Sequence, residues 1–185
     1  MRVIAGTARS VPLVAPRGLD TRPTTDRIKE TLFNIIQNDV GEALVLDIFA
    51  GSGAIGIEAL SRGAKKAVFI DNSRQAADCI TQNLKKTKLD GSASVLQTDA
   101  VSAIARLERE GEVFDLVFMD PPYGGRLWTP VLSALRNSKI IDINTLIIIE
   151  ESLSEDFPEE LIQGYEKIRE KCYKNQKHVF FRIRG

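Results

Sequence analysis

Residues 120–123, with the sequence DPPY, carry the side chains best suited to chemistry in this chain. They follow the apolar run 114–119, which predicts a buried strand, and the two prolines end that strand because neither has an amide hydrogen to donate. An exocyclic amine on a flat base donates two hydrogen bonds, which the Asp120 carboxylate and the Pro121 carbonyl can accept while Tyr123 stacks on the base. The motif predicts a site that aims a planar amine at an electrophile. The alternative is a rigid turn that only ends a strand.

A glycine-rich run at residues 51–56, GSGAIG, favours the first interpretation. It follows a second apolar strand candidate at 44–49 and precedes a helical pattern, so the order is strand, tight turn and helix start. Gly51 and Gly53 allow the backbone to approach a ligand closely. Free amides at the start of a helix suit a carboxylate or a phosphate. The run therefore predicts a cradle for a nucleotide-like ligand.

Aspartates are predicted at the carboxyl ends of four strands, where an open α/β sheet binds its ligands: Asp47, Asp71, Asp99 and Asp120. Asp71 can bind ribose hydroxyls in either a nicotinamide dinucleotide or S-adenosylmethionine. A dinucleotide brings a pyrophosphate, whereas S-adenosylmethionine brings a sulfonium and an ammonium, so four carboxylates favour S-adenosylmethionine. The alternative for each aspartate is a cap or turn residue, and Asp99 is equally well explained as a helix cap. Asp47 lies inside an apolar run and needs a partner if it is buried.

Strand and helix patterns alternate along the chain after a short hairpin at residues 2–5 and 10–14, which is expected to project as a basic arm. Thr25 or Asp26 is predicted to cap the first helix. Strands are predicted near residues 44–49, 67–70, 93–97, 114–119 and 144–150, helices near 54–62, 73–87, 100–109, 127–137 and 155–162, and a last hairpin at 165–173 and 177–184. This alternation predicts an α/β fold whose mostly parallel sheet has helices on both faces.

These motifs resemble those of the class I methyltransferases, whose cofactor motif matches residues 47–53 (DIFAGSG) and whose target-amine motif matches residues 120–123. Residues 18–27 (GLDTRPTTDR) and 46–64 (LDIFAGSGAIGIEALSRGA) more closely resemble the bacterial RsmD family, and the similarity covers nearly the whole chain. The resemblance implies a Rossmann-like fold with a seven-stranded sheet and an antiparallel final strand. It also implies methylation of the exocyclic N2 of one guanine in 16S ribosomal RNA, within the small ribosomal subunit or an assembly intermediate.

The same resemblance implies which residues hold the two reactants. S-adenosylmethionine would be bound by Asp47, Phe49, Ala50, Gly51, Gly53, Asp71 and Asp99. Asp120, Pro121 and Tyr123 would hold the guanine. Related enzymes often have asparagine where this chain has Asp120, and either side chain offers an acceptor. A carboxylate can also take up the proton released after transfer.

Length and composition predict one enzyme domain of 185 residues, with an arm over residues 1–24 and a methyltransferase domain over residues 25–185. The two cysteines, Cys79 and Cys172, lack metal-ligand spacing and predict reduced thiols in a cytoplasmic protein without a metal. No apolar run approaches the length of a membrane span. His178, the only histidine, is expected to be structural.

The formal net charge is zero, yet the basic residues are concentrated at the two ends of the chain. Residues 1–29 hold six basic against two acidic residues, Lys29 among the basic ones, and residues 164–185 hold seven against two. Because arginine suits phosphate, we expect the first segment to bind RNA through Arg2, Arg9, Arg17, Arg22 and Arg27. For the second segment the alternative is protection of an edge strand by lysines.

Three other functions remain open at this point. Adenine-N6 methyltransferases of DNA and protein glutamine methyltransferases share the two motifs, but they usually carry a separate recognition domain for which this chain has no room. A non-catalytic module for nucleotide binding or ribosome assembly would not need both motifs complete, as they are here.

Overall fold

The structure, a computed structural model, describes residues 1–16 and 26–185. In this part of the chain the helices are α1 (Asp26–Ile35), α2 (Ala54–Ser61), α3 (Arg74–Thr87), α4 (Ala100–Glu110) and α5 (Trp128–Arg136). The strands are β1 (Leu44–Ile48), β2 (Lys66–Asp71), β3 (Ala93–Gln97), β4 (Leu116–Met119), β5 (Leu146–Ser152), β6 (Tyr165–Cys172) and β7 (Gln176–Ile183). Helix α1 begins at Asp26, so the predicted cap at Thr25 lies outside the described residues.

The strands form one seven-stranded sheet in the order β3-β2-β1-β4-β5-β7-β6. The first five are parallel to one another, and β7 runs antiparallel between β5 and β6. The predicted Rossmann-like fold is therefore confirmed, including its antiparallel final strand. The order reverses at β1, which lies between β2 and β4, and a doubly wound sheet binds its ligand at such a switch point.

Two hydrophobic cores cover the two faces of the sheet. One contains the apolar side chains of α1, α2 and α3, and the other contains those of α4 and α5. Every residue of β4 is buried, as a parallel strand between two helical layers requires, which explains why its sequence is continuously apolar rather than alternating. This layering fixes the carboxyl ends of β1, β2 and β4 relative to one another.

Residues 1–16 form a hairpin that packs onto the domain instead of projecting from it. A single antiparallel bridge joins Arg2 and Pro12. The buried carboxylate of Glu58 in α2 accepts hydrogen bonds from the amides of Ile4 and Ala5 at 2.8 and 3.0 Å. Lys29 is fully buried and lies 3.1 Å from Glu58, so its charge serves this docking and is not available to RNA.

The helix predicted near residues 155–162 is wrong, because these residues form turns without a helix. Pro158 has no amide hydrogen to donate, and only the amides of Leu161 and Ile162 donate back to its carbonyl. The apolar spacing has another cause. Phe157 lies between the rings of Trp128 and Phe181, at centroid distances of 4.6 and 5.4 Å, and closes one core.

Candidate active site

The four predicted aspartates lie at the same edge of the sheet. Asp47 is the penultimate residue of β1 and Asp71 is the last residue of β2, while Asp99 and Asp120 follow β3 and β4. Since β3, β2, β1 and β4 are parallel neighbours, their carboxyl ends open onto one crevice. The structure therefore brings together the carboxylates of two motifs that are far apart in the sequence.

The glycine loop between β1 and α2 turns sharply through left-handed backbone. Phe49, Gly51 and Gly53 have φ angles of 62, 56 and 74°, and the Gly53 amide closes the turn by donating to the Ala50 carbonyl at 2.7 Å. A side chain at Gly56 would place its Cβ 2.3 Å from Phe69 Cε1, so glycine lets α2 pack directly on β2. The start of α2 is thereby held against the crevice.

Asp47 is buried, and its Oδ2 accepts a hydrogen bond from the Gly56 amide at 2.9 Å. Burial, opposed by the hydrogen bond from the Gly56 amide and assisted by the nearby charges of Asp120 and Asp71, raises the pKa of Asp47 to about 8. A cation in the crevice would stabilise the ionised form. Such a cation would add to the Gly56 amide as a partner for an acid that lies inside an apolar strand.

Asp71 ties the glycine loop to the end of β2. One of its oxygens accepts from the Gly51 amide and the other from the Ser73 amide, both at 2.9 Å. These two hydrogen bonds from backbone amides orient the carboxylate and leave a further lone pair on each oxygen. Asp71 is therefore positioned both to shape the loop and to accept a hydrogen bond from a ligand hydroxyl.

A cavity of about 210 Å³ opens beside Asp71. Apolar side chains, including Phe49, Val101 and Leu127, line it together with the carboxylates of Asp71 and Asp99. Asp99 caps α4 by accepting from the Ser102 amide at 2.9 Å, and this hydrogen bond lowers its pKa. A mainly apolar cavity with two aspartates in its lining suits a planar heterocycle that carries a hydroxylated ring, as adenosine does.

The predicted target side chains lie at the end of β4. The pKa of Asp120 is raised well above its usual value, first by burial and then by the charges of Glu150 and Glu151. Pro121 is buried, whereas Tyr123 is 41% exposed and donates its hydroxyl to Glu150 at 3.5 Å. A carboxylate and an exposed aromatic ring therefore follow β4, which lies on the side of β1 opposite β2.

The comparisons with known proteins identify the family. A family model described as "Conserved hypothetical protein 95" matches residues 1–182. The chain belongs to this family. It is the RsmD family to which the sequence motifs pointed, and the chain is accordingly an S-adenosylmethionine-dependent methyltransferase.

Individual members of the RsmD family are similar over most of their length. The chain is 36% identical over 158 residues to the ribosomal RNA small subunit methyltransferase D of Escherichia coli K12, covering 85% of this chain and 78% of the relative. The Haemophilus influenzae protein of the same name is 37% identical over 153 residues, 81% of this chain and 78% of that one.

Solved structures share this fold. An Escherichia coli protein, yhhF, provisionally described as a methyltransferase, superposes with a TM-score of 0.85 at 34% identity, covering 99% of this chain and 97% of that one. A hypothetical protein of Thermus thermophilus superposes with a TM-score of 0.84 at 25% identity, covering 99% of each chain. The RsmD family fold therefore extends over both ends of the chain.

The basic residues predicted to bind RNA are only partly described. Arg2, Arg9 and Arg27 are exposed, and Arg2 forms an ion pair with Asp26 at 3.0 Å. Arg17 and Arg22 lie outside the described residues. Within residues 1–16 and 26–185, no group of three or more His, Cys, Asp or Glu is placed to hold a metal ion, and no helix there is long and apolar enough to cross a membrane.

Sequence reasoning missed the buried polar groups behind the target motif. Glu150 and Glu151 are buried near the end of β5, and His178 is buried opposite Glu150 on β7. A signal was present, because two acidic residues end the apolar run LIIIEES of β5, just as Asp47 interrupts the run of β1. His178, expected to be structural, contacts one of these acids.

Proposed function

We propose that the protein transfers a methyl group from S-adenosylmethionine to the exocyclic N2 of a guanine in 16S ribosomal RNA, within the small subunit or an assembly intermediate in the cytoplasm. The observation that carries the proposal is the convergence of the glycine loop after β1 and the DPPY motif after β4 at one edge of the sheet. The names of the Escherichia coli and Haemophilus influenzae relatives support the ribosomal substrate. The RsmD-family resemblance of the motifs supports guanine N2.

We assign the cofactor to the β1–β3 side of the crevice. Asp47 and the loop residues Phe49, Ala50, Gly51 and Gly53 would surround the methionine part, Asp71 the ribose and Asp99 the adenine. The charge of the site supports this fit, because a buried carboxylate with a raised pKa is stabilised by a sulfonium and an ammonium. A pyrophosphate would meet three carboxylates without a cationic partner among the side chains described here.

The target amine is assigned to Asp120, Pro121 and Tyr123. The Asp120 carboxylate and the Pro121 carbonyl accept the two amine hydrogens, and the Tyr123 ring supports the base plane. When bound, S-adenosylmethionine supplies a methyl group on a positively charged sulfur, which keeps the bonding electrons as S-adenosylhomocysteine leaves.

The nitrogen lone pair forms the new N–C bond, and the nitrogen then loses one proton. Asp120 is suited to accept that proton because its pKa is raised by burial and by the charges of Glu150 and Glu151. No covalent bond to the protein forms. The rate would come mainly from holding two reactants in line.

We assign residues 1–24 to RNA binding and residues 25–185 to catalysis. Arg9 and Arg27 are exposed, as phosphate contacts require. Neutral replacement of Arg9, Arg17 and Arg22 should weaken RNA binding and reduce the dependence of the affinity on salt. With fewer phosphate contacts, fewer counterions are released from the RNA when the protein binds. An unchanged salt slope would remove this segment from the interface.

The deciding experiment uses labelled S-adenosylmethionine. The protein is incubated separately with unmodified small subunits, naked 16S RNA, DNA and cell protein, and the labelled product is identified by mass spectrometry. We expect N2-methylguanosine in 16S RNA. Label in N6-methyladenine or methylglutamine would keep the fold and cofactor but overturn the substrate.

A further inference from the structure

A buried hydrogen-bonded chain runs behind the target motif and ends on its tyrosine. Glu150 Oε2 lies 2.8 Å from His178 Nε2, and Glu150 Oε1 accepts hydrogen bonds from the Gln176 amide and, at 3.5 Å, from the Tyr123 hydroxyl. The Tyr173 hydroxyl lies 3.0 Å from His178 Nδ1. The chain therefore links the exposed Tyr123 to two strands of the sheet, β5 and β7, and to Tyr173 in the turn between β6 and β7.

The environment of His178 sets the direction of these hydrogen bonds. The ring is fully buried, and burial lowers its pKa to about 3, so it carries one proton at neutral pH. The proton belongs on Nε2, because Glu150 offers only acceptors there, while Nδ1 accepts from the Tyr173 hydroxyl. Three donors consequently point at the Glu150 carboxylate, which holds it in one orientation.

Glu150 and the two side chains that hold it, His178 and Gln176, lie on neighbouring strands of the sheet. Glu150 and His178 are directly paired across β5 and β7, and Gln176 is the first residue of β7. The His178 ring also packs edge-on against Phe118 of β4, the strand that leads into the DPPY motif. A carboxylate fixed in this way gives the hydroxyl of the exposed Tyr123 a defined hydrogen-bond acceptor.

We infer that Glu150 is a positioning residue for the methyl-accepting base: held by His178 and Gln176, it fixes the ring of Tyr123 through its hydroxyl and places a negative charge beside Asp120. This rests on the proposed function only in taking Tyr123 as the surface on which the base stacks. The inference gives His178 a role in orienting a second residue, although it touches neither reactant.

The charge of Glu150 has a separate consequence for Asp120. The groups that act on Asp120 are Glu150 and Glu151 from β5, with Asp47 from β1 and Tyr123 from its own loop also close. Asp120 must be ionised to accept both an amine hydrogen and the released proton. Removing one negative neighbour therefore lowers its pKa and extends activity to lower pH.

The test compares Glu150→Leu, Tyr123→Phe and their double variant by kcat, by KM for RNA and by cofactor affinity. Glu150→Leu removes the acceptor of the Tyr123 hydroxyl, and Glu150→Gln is added to separate the effect of the charge. Glu150→Gln keeps the shape and removes the charge, since His178 can move its proton to Nδ1 and accept from the new amide. Tyr123→Phe keeps the ring and removes the anchored hydroxyl. Glu166→Gln, on the exposed strand β6, is the matched control.

We expect Glu150→Leu and Tyr123→Phe each to reduce kcat/KM for RNA about tenfold, with cofactor affinity within about twofold of wild type, and the double variant to be no worse than the poorer single one. Glu150→Gln, which keeps an acceptor for the Tyr123 hydroxyl, should lose less and should move the acidic limb of the pH profile to lower pH. Losses that multiply in the double variant, or an unmoved acidic limb in Glu150→Gln, would overturn the inference. If Glu150→Leu does not fold, Tyr123→Phe and Tyr173→Phe decide it: wild-type kcat/KM in both would equally overturn it.

The same reactions separate this inference from the proposed function. The methylated product of the wild-type enzyme is identified in parallel. A product other than N2-methylguanosine would overturn the function, whereas the ratios between variants and wild type would still judge the role of Glu150 on whichever amine is methylated.

Discussion

On the cofactor side of the crevice, the carboxylates of Asp47, Asp71 and Asp99 accept hydrogen bonds from backbone amides that lie between 2 and 20 residues away in sequence. On the target side, Glu150 is held by side chains 26 to 28 residues away, on a different strand and in the loop after β4. Backbone donors are present whatever the side chain, so the cofactor half depends on backbone geometry. The target half depends on the identity of each partner.

The largest effect expected is that of Asp120→Ala on transfer. Loss of the amine acceptor should reduce kcat about a thousandfold, while the cofactor, held by the other half, should bind within a few-fold of its wild-type affinity. Asp120→Asn, which keeps an acceptor but no proton acceptor, should retain more activity. Single-turnover methylation and calorimetric binding of S-adenosylhomocysteine measure the two effects. Loss of cofactor binding in Asp120→Ala would show that the halves are not independent.

Asp47→Asn tests the cofactor half of the site through the pH dependence of protein stability. Because the pKa of Asp47 is raised to about 8 in the folded protein, protons bind the folded state more tightly than the unfolded state. The stability contributed by the protonated acid is fully present below about pH 4, the unfolded pKa, and is lost as pH rises to about 8. Wild type without cofactor should therefore melt at a lower temperature at pH 8 than at pH 6, and Asp47→Asn should flatten this slope.

Cofactor affinity should change with pH in the opposite sense. Up to pH 8, affinity for S-adenosylmethionine should rise with the ionised fraction of Asp47, by up to about tenfold per unit. Asp47→Asn should bind the cofactor more weakly, with little pH dependence. Equal pH slopes in wild type and variant would assign the titration to another group, such as Asp120.

Gly56→Ala tests whether backbone packing carries the cofactor half. The new Cβ would lie 2.3 Å from Phe69 Cε1, so α2 or the ring must move, at a cost of about 1–3 kcal/mol. Denaturant unfolding measures the loss, and cofactor affinity should fall with it because the Gly56 amide also holds Asp47. Gly41→Ala is the matched control, since its Cβ would meet nothing within 4 Å. Equal stability in both variants would contradict the packing account.

The smallest effect expected is that of Asp99→Ala. Asp99 caps α4 and is among the residues that line the cavity, so its loss should reduce stability slightly by removing one helix cap. Urea unfolding of this variant and of Asp99→Ser, which can still cap, separates the cap from the ligand contact. A full recovery of stability with a persistent loss of cofactor affinity in Asp99→Ser would establish the contact with the cofactor.

Features that depend on residues close together in the sequence were predicted correctly, and features that depend on distant residues were not. The turn through Gly51 and Gly53 and the stop at Pro121 are local, and both were predicted correctly. The docking of residues 1–16 was not, because it depends on Glu58, whose amide partners lie 53 and 54 residues earlier. The helix predicted near 155–162 failed for a similar reason, since the apolar spacing of Phe157 serves contacts with Trp128 and Phe181.

By itself the sequence determined the order of the strands and of the helices up to α5, the glycine loop and the DPPY turn, because each depends on rules that act over a few residues. The two motifs together indicated the class of reaction. Only the tertiary structure decided which buried charges meet. Sheet order places β7 beside β5, so that His178 and Gln176 reach Glu150 and through it Tyr123. Burial then raises the pKa of Asp47 and of Asp120, since removing a carboxylate from water penalises its charged form wherever the chain brings it.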